Sequence, residues 1–198
     1  MEKEIKSQSK KQQWKPGTLI YPLPAGLISC GATPDEYNVF TVSWLGTICT
    51  NPAMCYISVR PERHSYPIIK KNQAFVINLT NEALARSTDW CGVRSGADYD
   101  KFAEAHLTPE MAKTVPAPIV VESPLNIECR VVEIKELGSH HMFIAEVTNI
   151  QADEQYMDAK TGEFRLDQAR LIAYSHGHYY KLGKEIGRFG WSVKKEIK

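Results

Sequence analysis

The chain is poor in the features that mark several large protein classes. No apolar run in its 198 residues approaches the roughly 20 needed to span a bilayer, so a membrane protein is not expected. Charge of either sign is not in excess: 24 Lys and Arg face 23 Asp and Glu, for a formal net charge of +1. Such a balance supplies no field to gather nucleic acid or an anionic membrane surface. Cysteine is sparse and odd in number, with five at Cys30, Cys49, Cys55, Cys91 and Cys129. No pair has C-x-x-C spacing, which argues against zinc, an iron–sulfur cluster and a dithiol redox centre, and a reducing cytoplasm is the expected location. Four of the cysteines lie in apolar or small-residue stretches and read as small hydrophobes. Cys91, beside Gly92, reads as a loop cysteine. No G-x-G-x-x-G follows a strand, so a Rossmann dinucleotide site is not supported. Residues 1–13 are polar and Lys-rich without an apolar centre, unlike a secretory signal, and read as a solvated, disordered tail ahead of one domain over 14–198.

A metal centre is not expected either. His140 and His141 are adjacent in a strand-forming stretch and point to opposite faces. His176 and His178 share a face if extended, yet no Asp or Glu is spaced to complete a site.

What is present is a succession of short strands. Val39–Trp44 alternates and is rich in β-branched and aromatic residues. Asn51-Pro52 marks a turn, and Met54–Arg60 reads as the next strand, with Cys55, Ile57 and Val59 on one face. Ala74–Leu79, a long hairpin from Leu125–Leu137 to Met142–Ala152 and a last strand at Leu171–Tyr174 follow. Helices are expected at Tyr66–Lys71, at Glu82–Trp90 behind an Asn81 cap, over Asp98–His106, and from Thr108-Pro109. Short strands without a βαβ rhythm indicate an antiparallel barrel with added helices.

The stretch Asn38–Tyr66 concentrates the unusual chemistry. Hydroxyl residues recur at Thr41, Ser43, Thr47 and Thr50, where a strand built only for a core would carry Val, Ile and Leu. Arg60 and Arg63 flank a turn at Pro61, and Ser65 then opens a helix as its expected N-cap. A helix N-terminus attracts anions, and two guanidinium groups beside it add charge-assisted hydrogen bonds. The pattern reads either as a phosphate site without a Gly-rich loop or as a solvated arginine pair on a strand end.

These residues resemble the flavin reductase-like family, the FMN-binding split-barrel flavoproteins that include flavoredoxin. Trp14-Lys15-Pro16-Gly17 and Pro22-Leu23-Pro24-Ala25 are similar to the family's first strand. Asn38-x-x-Thr41-x-Ser43-Trp44 resembles its flavin-contacting strand, and Ser58-Val59-Arg60 with Arg63-His64-Ser65-Tyr66 its phosphate-contacting turn. Phe75–Leu79, Cys91-Gly92 to Ser95-Gly96, Asp100-Lys101-Phe102, Glu128-Cys129 and His140-x-Met142-Phe143-Ile144-x-Glu146-Val147 continue the likeness to about Gly187. Ala145 stands where many relatives have Gly, and Tyr174–His178 matches only approximately.

The resemblance implies a mainly β fold with added helices, a six-stranded antiparallel Greek-key split barrel, and a homodimer holding non-covalent FMN. It implies cofactor contacts from Asn38, Thr41, Ser43, Trp44, Ser58, Arg60, Arg63, Ser65, Asn78, Lys101, His140 and Tyr174. In it Trp44 shields the ring system, Asn38 bonds its polar rim, and Lys101 stands near its N1/O2 side. The implied function is electron transfer or flavin reduction, with NAD(P)H or a redox protein as donor. Two alternatives stay open: a split barrel like pyridoxamine-phosphate oxidase, and a flavin- or haem-binding module without turnover.

Overall fold

The computed structural model describes residues 10–193. Strands β1 (Leu23–Pro24), β2 (Gly26–Cys30), β3 (Asn38–Val42), β4 (Leu45–Cys49) and β5 (Met54–Val59) come first, then helix α1 (Ser65–Asn72) and β6 (Ala74–Asn78). Helices α2 (Ala85–Val93) and α3 (Lys101–Glu104) follow, then β7 (Pro109–Met111), β8 (Pro118–Val120), the long pair β9 (Leu125–Leu137) and β10 (His140–Ala152), and the hairpin β11 (Ile172–Ser175) and β12 (His178–Lys181).

The main sheet has seven antiparallel strands in the order β3-β2-β6-β9-β10-β5-β4, one more than the expected six. Its topology forces it to curl. β3 and β4 lie on opposite edges of the sheet, yet only Ser43 and Trp44 separate them in the chain. Laid flat, seven strands would hold those edges about 29 Å apart at ~4.8 Å per step. Three Cα steps reach at most about 11 Å. The sheet must therefore wrap until its edges nearly meet, and the Trp44 carbonyl accepts from the Ser58 N–H at 2.8 Å on the far side of that seam. The result is the mainly β split barrel that the resemblance implied.

Strand alternation decides what fills it. Ile28, Cys30, Phe40, Val42, Ile57, Val59, Phe75 and Phe143 point into the barrel and are almost wholly buried. Leu27 and Val39, on the opposite face of the same strands, are also buried, because α2 and α3 cover that side with Leu84, Cys91 and Phe102. Both faces of β2 and β3 are thus dry, which is why their sequences carry apolar residues at consecutive positions.

Several local expectations shift. Thr108-Pro109 does not start a helix: Pro109–Met111 forms β7 and pairs with β8, so tertiary pairing overrides a cap-and-proline signal. Asn81 bonds the Leu84 N–H at 3.1 Å, but the α-helix starts at Ala85 and runs through Cys91 to Val93. Cys91 is therefore a fully buried helical residue rather than a loop cysteine, and burial pushes its thiol up to about 11. Of the helix expected over Asp98–His106, α3 forms only at Lys101–Glu104, capped by Asp100, which accepts from Ala103 N–H at 3.2 Å. Ser65 is the first residue of α1, and His64 holds the cap position. Of the expected tail, residues 1–9 lie outside the described residues, and 10–13 belong to the stretch that precedes the first strand. Among the described residues no helix is long and apolar enough to cross a membrane, and no group of His, Cys, Asp or Glu is placed to hold a metal ion.

Candidate functional site

The seam of the barrel opens into a cavity of about 310 Å³. Its floor is β3 running into Ser43 and Trp44, with Ser58 and Arg60 from the end of β5 beside them. Helix α2 closes one side with Asp89 and Gly92, and the β11–β12 hairpin closes another with Tyr174 and Tyr179. The Trp44 and His140 rings stack at 6.1 Å between centroids and 13° between planes, forming a flat aromatic wall. Burial, then the nearby Arg60, lowers the His140 pKa below its ordinary value, which favours the neutral imidazole. Helix α2 sits close on β3 because residue 92 is glycine; a Cβ there would meet Thr41 Cβ at 3.3 Å. Thr41 Oγ1 donates to the Thr88 carbonyl and fixes the same contact.

A second cavity of about 300 Å³ adjoins the first and shares Phe40, Arg60 and Arg63 with it. It is rich in cations: Arg60, Arg63, Arg94 and Lys101 line it, together with Ser65, Ser95 and Gly96. Glu62, also on its wall, is taken by Arg60 at 2.7 Å. The C-terminus of α2 makes this concentration of charge tolerable. Lys101 Nζ donates to the Cys91 carbonyl at 2.7 Å and the Arg94 carbonyl at 3.0 Å, and Arg63 Nη1 donates to the Gly92 carbonyl at 3.2 Å. Those carbonyls carry the negative end of the helix dipole. Lys101 has only 3% of its surface exposed, and burial brings its ammonium down to about 8. Asn38 Nδ2 donates to Ser65 Oγ at 2.6 Å, and the absence of a side chain at Gly96 leaves room for the Asn38 amide, whose Oδ1 a Cβ would approach to 2.2 Å.

The expected site residues divide between these cavities. Thr41, Ser43, Trp44, Ser58, His140 and Tyr174 line the first, Asn38, Ser65 and Lys101 the second, and Arg60 and Arg63 stand at the junction. Lys101 therefore lies at the cationic end, away from the Trp44 wall. Asn78 is not brought to the cleft. It is fully buried on β6, donates to the Leu27 carbonyl at 2.8 Å and Ser29 Oγ at 2.9 Å, and accepts from Val120 N–H at 2.9 Å and Asn126 Nδ2 at 2.7 Å. Its polar atoms join β2, β6, β8 and β9. Asn78→Ala is expected to destabilise the fold by about 2–3 kcal/mol, since it orphans buried partners, with ligand stoichiometry unchanged; urea unfolding beside a ligand titration checks both.

Sequence reasoning missed Asp89, Tyr179 and Arg94. Asp89 lies three residues before Gly92 on α2, and that helical spacing placed it on the cleft face. Tyr179 is directly across the hairpin from Tyr174. Burial, reinforced by Asp89, raises its phenol to about 12, so it remains a protonated hydrogen-bond donor in the cleft.

Comparison with known proteins agrees with this fold. The profile of the "Flavin reductase like domain" matches residues 18–183. Flavoredoxin of Desulfovibrio vulgaris (Miyazaki F) superposes with a TM-score of 0.86 at 28% identity, covering 93% of this chain and all of that one. An uncharacterized protein of Pyrococcus abyssi is 30% identical over 157 residues, 79% of this chain and 90% of its own. The reductase component of a 4-nitrophenol monooxygenase from Rhodococcus opacus is 30% identical over 112 residues, 57% of each chain. With the profile spanning most of the sequence and the split barrel formed, the chain belongs to the flavin reductase-like family.

Proposed function

We propose that the cleft binds FMN without covalent linkage and that the protein passes electrons through it, as a flavin reductase or an electron carrier. One observation carries the reading: an aromatic-walled cavity and a cation-rich corner are joined end to end, with Arg60 and Arg63 at the junction. A planar ring system suits the Trp44–His140 wall. A doubly charged phosphate suits the corner, where the one lining carboxylate is neutralised by Arg60. The residues present therefore fit the group. In this arrangement Trp44, His140 and Tyr174 orient the ring and exclude water. Ser65, Arg63 and Lys101 hold the phosphate, and Asn38 orients the Ser65 hydroxyl. Bound there, the flavin supplies hydride and one-electron chemistry. No side-chain nucleophile is required.

The electron donor is proposed to be NAD(P)H or a reduced redox protein. The working unit is proposed to be a cytoplasmic homodimer: Ile20 and Ile186 lie 83% and 94% exposed outside any strand or helix, apolar surface that a second copy would bury. The test of function is optical. Purified or FMN-reconstituted protein is expected to show the visible bands of an oxidised flavin and to bleach anaerobically with NADH, NADPH or a reduced ferredoxin-type protein. Protein that retains no flavin after reconstitution contradicts the reading.

Lys101 gives the cleft a pH dependence. With its pKa brought down to about 8, Lys101 is charged below that pH and neutral above it. A bound phosphate favours the charged form, so the complex holds the proton to higher pH than the free protein. FMN affinity is therefore expected to be highest below pH 8 and to fall several-fold between about pH 8 and 10. Riboflavin affinity stays flat over the same window, and Lys101→Met removes the difference. Fluorescence titrations of both flavins across that range provide the check.

A further inference from the structure

Lys101 carries more chemistry than gripping a phosphate requires. A buried lysine is ordinarily met by an acid, because an unpaired buried charge is costly. Lys101 is almost wholly buried, yet among the described residues no carboxylate pairs with it; its partners are the neutral carbonyls of Cys91 and Arg94. The surroundings are cationic instead. Arg60, Arg63 and Arg94 line the same cavity, and its one carboxylate, Glu62, is taken by Arg60 at 2.7 Å. The Cys30 and Cys91 thiols, pushed up by burial to about 12 and about 11, supply no anion at pH 8, and His64 is the remaining titratable group on the wall. Burial, with Arg63 adding to it, brings the ammonium down to about 8, so near that pH a substantial share of the molecules carry the free amine. Its two N–H bonds serve the two carbonyls, and its lone pair is left for the cavity. A nucleophile therefore sits where an anion formed on it would be stabilised.

We propose that Lys101 is a carbamylation site: in flavin-free protein its amine takes up carbon dioxide, and the cationic corner holds the carbamate. The nitrogen lone pair attacks the carbon of CO2, one C=O π pair moves onto oxygen, and one amine proton leaves to water, giving R–NH–COO⁻ and H⁺. No oxidant or reductant takes part. The nitrogen keeps one N–H for the buried Cys91 carbonyl, and the Arg94 carbonyl, on the partly exposed side, turns to water. The new carboxylate lies among the Arg63 and Arg94 guanidinium groups and the Ser65 and Ser95 hydroxyls. Arg63 commits one nitrogen to the Gly92 carbonyl and keeps further N–H groups to donate. An ordinary solvated lysine titrates about two units higher and offers almost no free amine at pH 8. One consequence rests on the flavin reading above: the carbamate places negative charge where the FMN phosphate would lie, so carbon dioxide and FMN compete. The competition is strongest near pH 8, because the amine is protonated below it and dissolved CO2 is lost to bicarbonate and carbonate above it.

The experiment equilibrates flavin-free protein at pH 8 with isotopically labelled bicarbonate, which supplies CO2, and reads the carbon NMR spectrum. A trialkyloxonium reagent then traps the carbamate as its ester for peptide mapping, which locates it in the wild type without any variant. Lys101→Arg and Arg63→Ala are compared, and FMN and riboflavin are titrated in bicarbonate and in chloride at equal ionic strength. A labelled ester on Lys101, absent from Lys101→Arg and several-fold weaker in Arg63→Ala, supports the proposal, as does FMN affinity several-fold lower in bicarbonate with riboflavin unchanged. Label confined to the N-terminal amine, or a Lys101 adduct that Arg63→Ala leaves at full occupancy, overturns it. Carbamate on Lys101 in a protein that binds no FMN upholds this site and overturns the flavin reading. FMN binding by a protein whose Lys101 takes no label does the reverse.

Discussion

Arg63→Ala is expected to weaken FMN binding by about 1.5–3 kcal/mol, roughly ten- to a hundredfold, while leaving riboflavin within about threefold. The asymmetry follows from position. Arg63 touches both cavities at their junction, and its Nη1 is anchored on the Gly92 carbonyl at 3.2 Å. Anchoring reduces the side-chain entropy that a flexible surface arginine would lose on gripping an anion. Riboflavin shares the ring and lacks the phosphate, so it reports the Trp44–His140 wall alone. Arg63→Lys is expected to fall between, keeping the charge and losing the planar fork. The wild-type preference for FMN is expected to shrink with added salt, because the corner is open to solvent. Equal losses for both flavins would place the phosphate elsewhere.

The largest effect on stability is expected at Glu128. This carboxylate has none of its surface exposed and, among the described residues, forms no ion pair; five donors satisfy it instead. They are the Lys113 and Thr114 N–H groups at 3.2 and 2.6 Å, Thr114 Oγ1 at 2.6 Å, Asn149 Nδ2 at 2.8 Å and Gln151 Nε2 at 2.9 Å. The group fastens the Ala112–Ala117 connection onto β9 and β10. Glu128→Ala orphans these donors at once and is expected to cost about 3–5 kcal/mol, read as a lowered urea midpoint. Glu128 also sets an acid limit. Burial raises its pKa, yet the hydrogen bonds, led by Thr114, outweigh burial and hold it below the ordinary 4.5. A carboxyl depressed in the folded state stabilises fully above its unfolded pKa and loses that contribution as pH falls through the folded value. Stability is therefore expected to drop on acidification below about 4.5, and Glu128→Gln, less stable at pH 7, should flatten that decline. A Glu128→Gln protein with the wild-type acid profile would assign the decline to other groups.

What could be read in the sequence was what depends on local pattern. Cys55, Ile57 and Val59 alternate with half-buried neighbours as strand spacing requires, and they point into the barrel. The Arg60–Ser65 turn and the hydroxyl-bearing strand before it were recognisable because their residue types are uncommon for plain core. The misplaced elements were decided by partners far away in the chain. Pro109–Met111 has a helix-start signature and becomes a strand through β8. Asn78 sits in the family's pattern and faces inward because Ser29, Val120 and Asn126 surround it. Glu128 gave no sign of its role, since its donors come from residues 14 to 23 positions later or earlier in the chain. The cleft itself arises from the short Ser43–Trp44 link between opposite edges of the sheet, a consequence of strand order that no local window contains.

The most direct measurement is a crystal structure of the protein grown with FMN. The account predicts the ring against Trp44 and His140 and the phosphate within hydrogen-bonding reach of Arg63 and Ser65. A flavin seated elsewhere, with those two side chains turned to solvent, would contradict it.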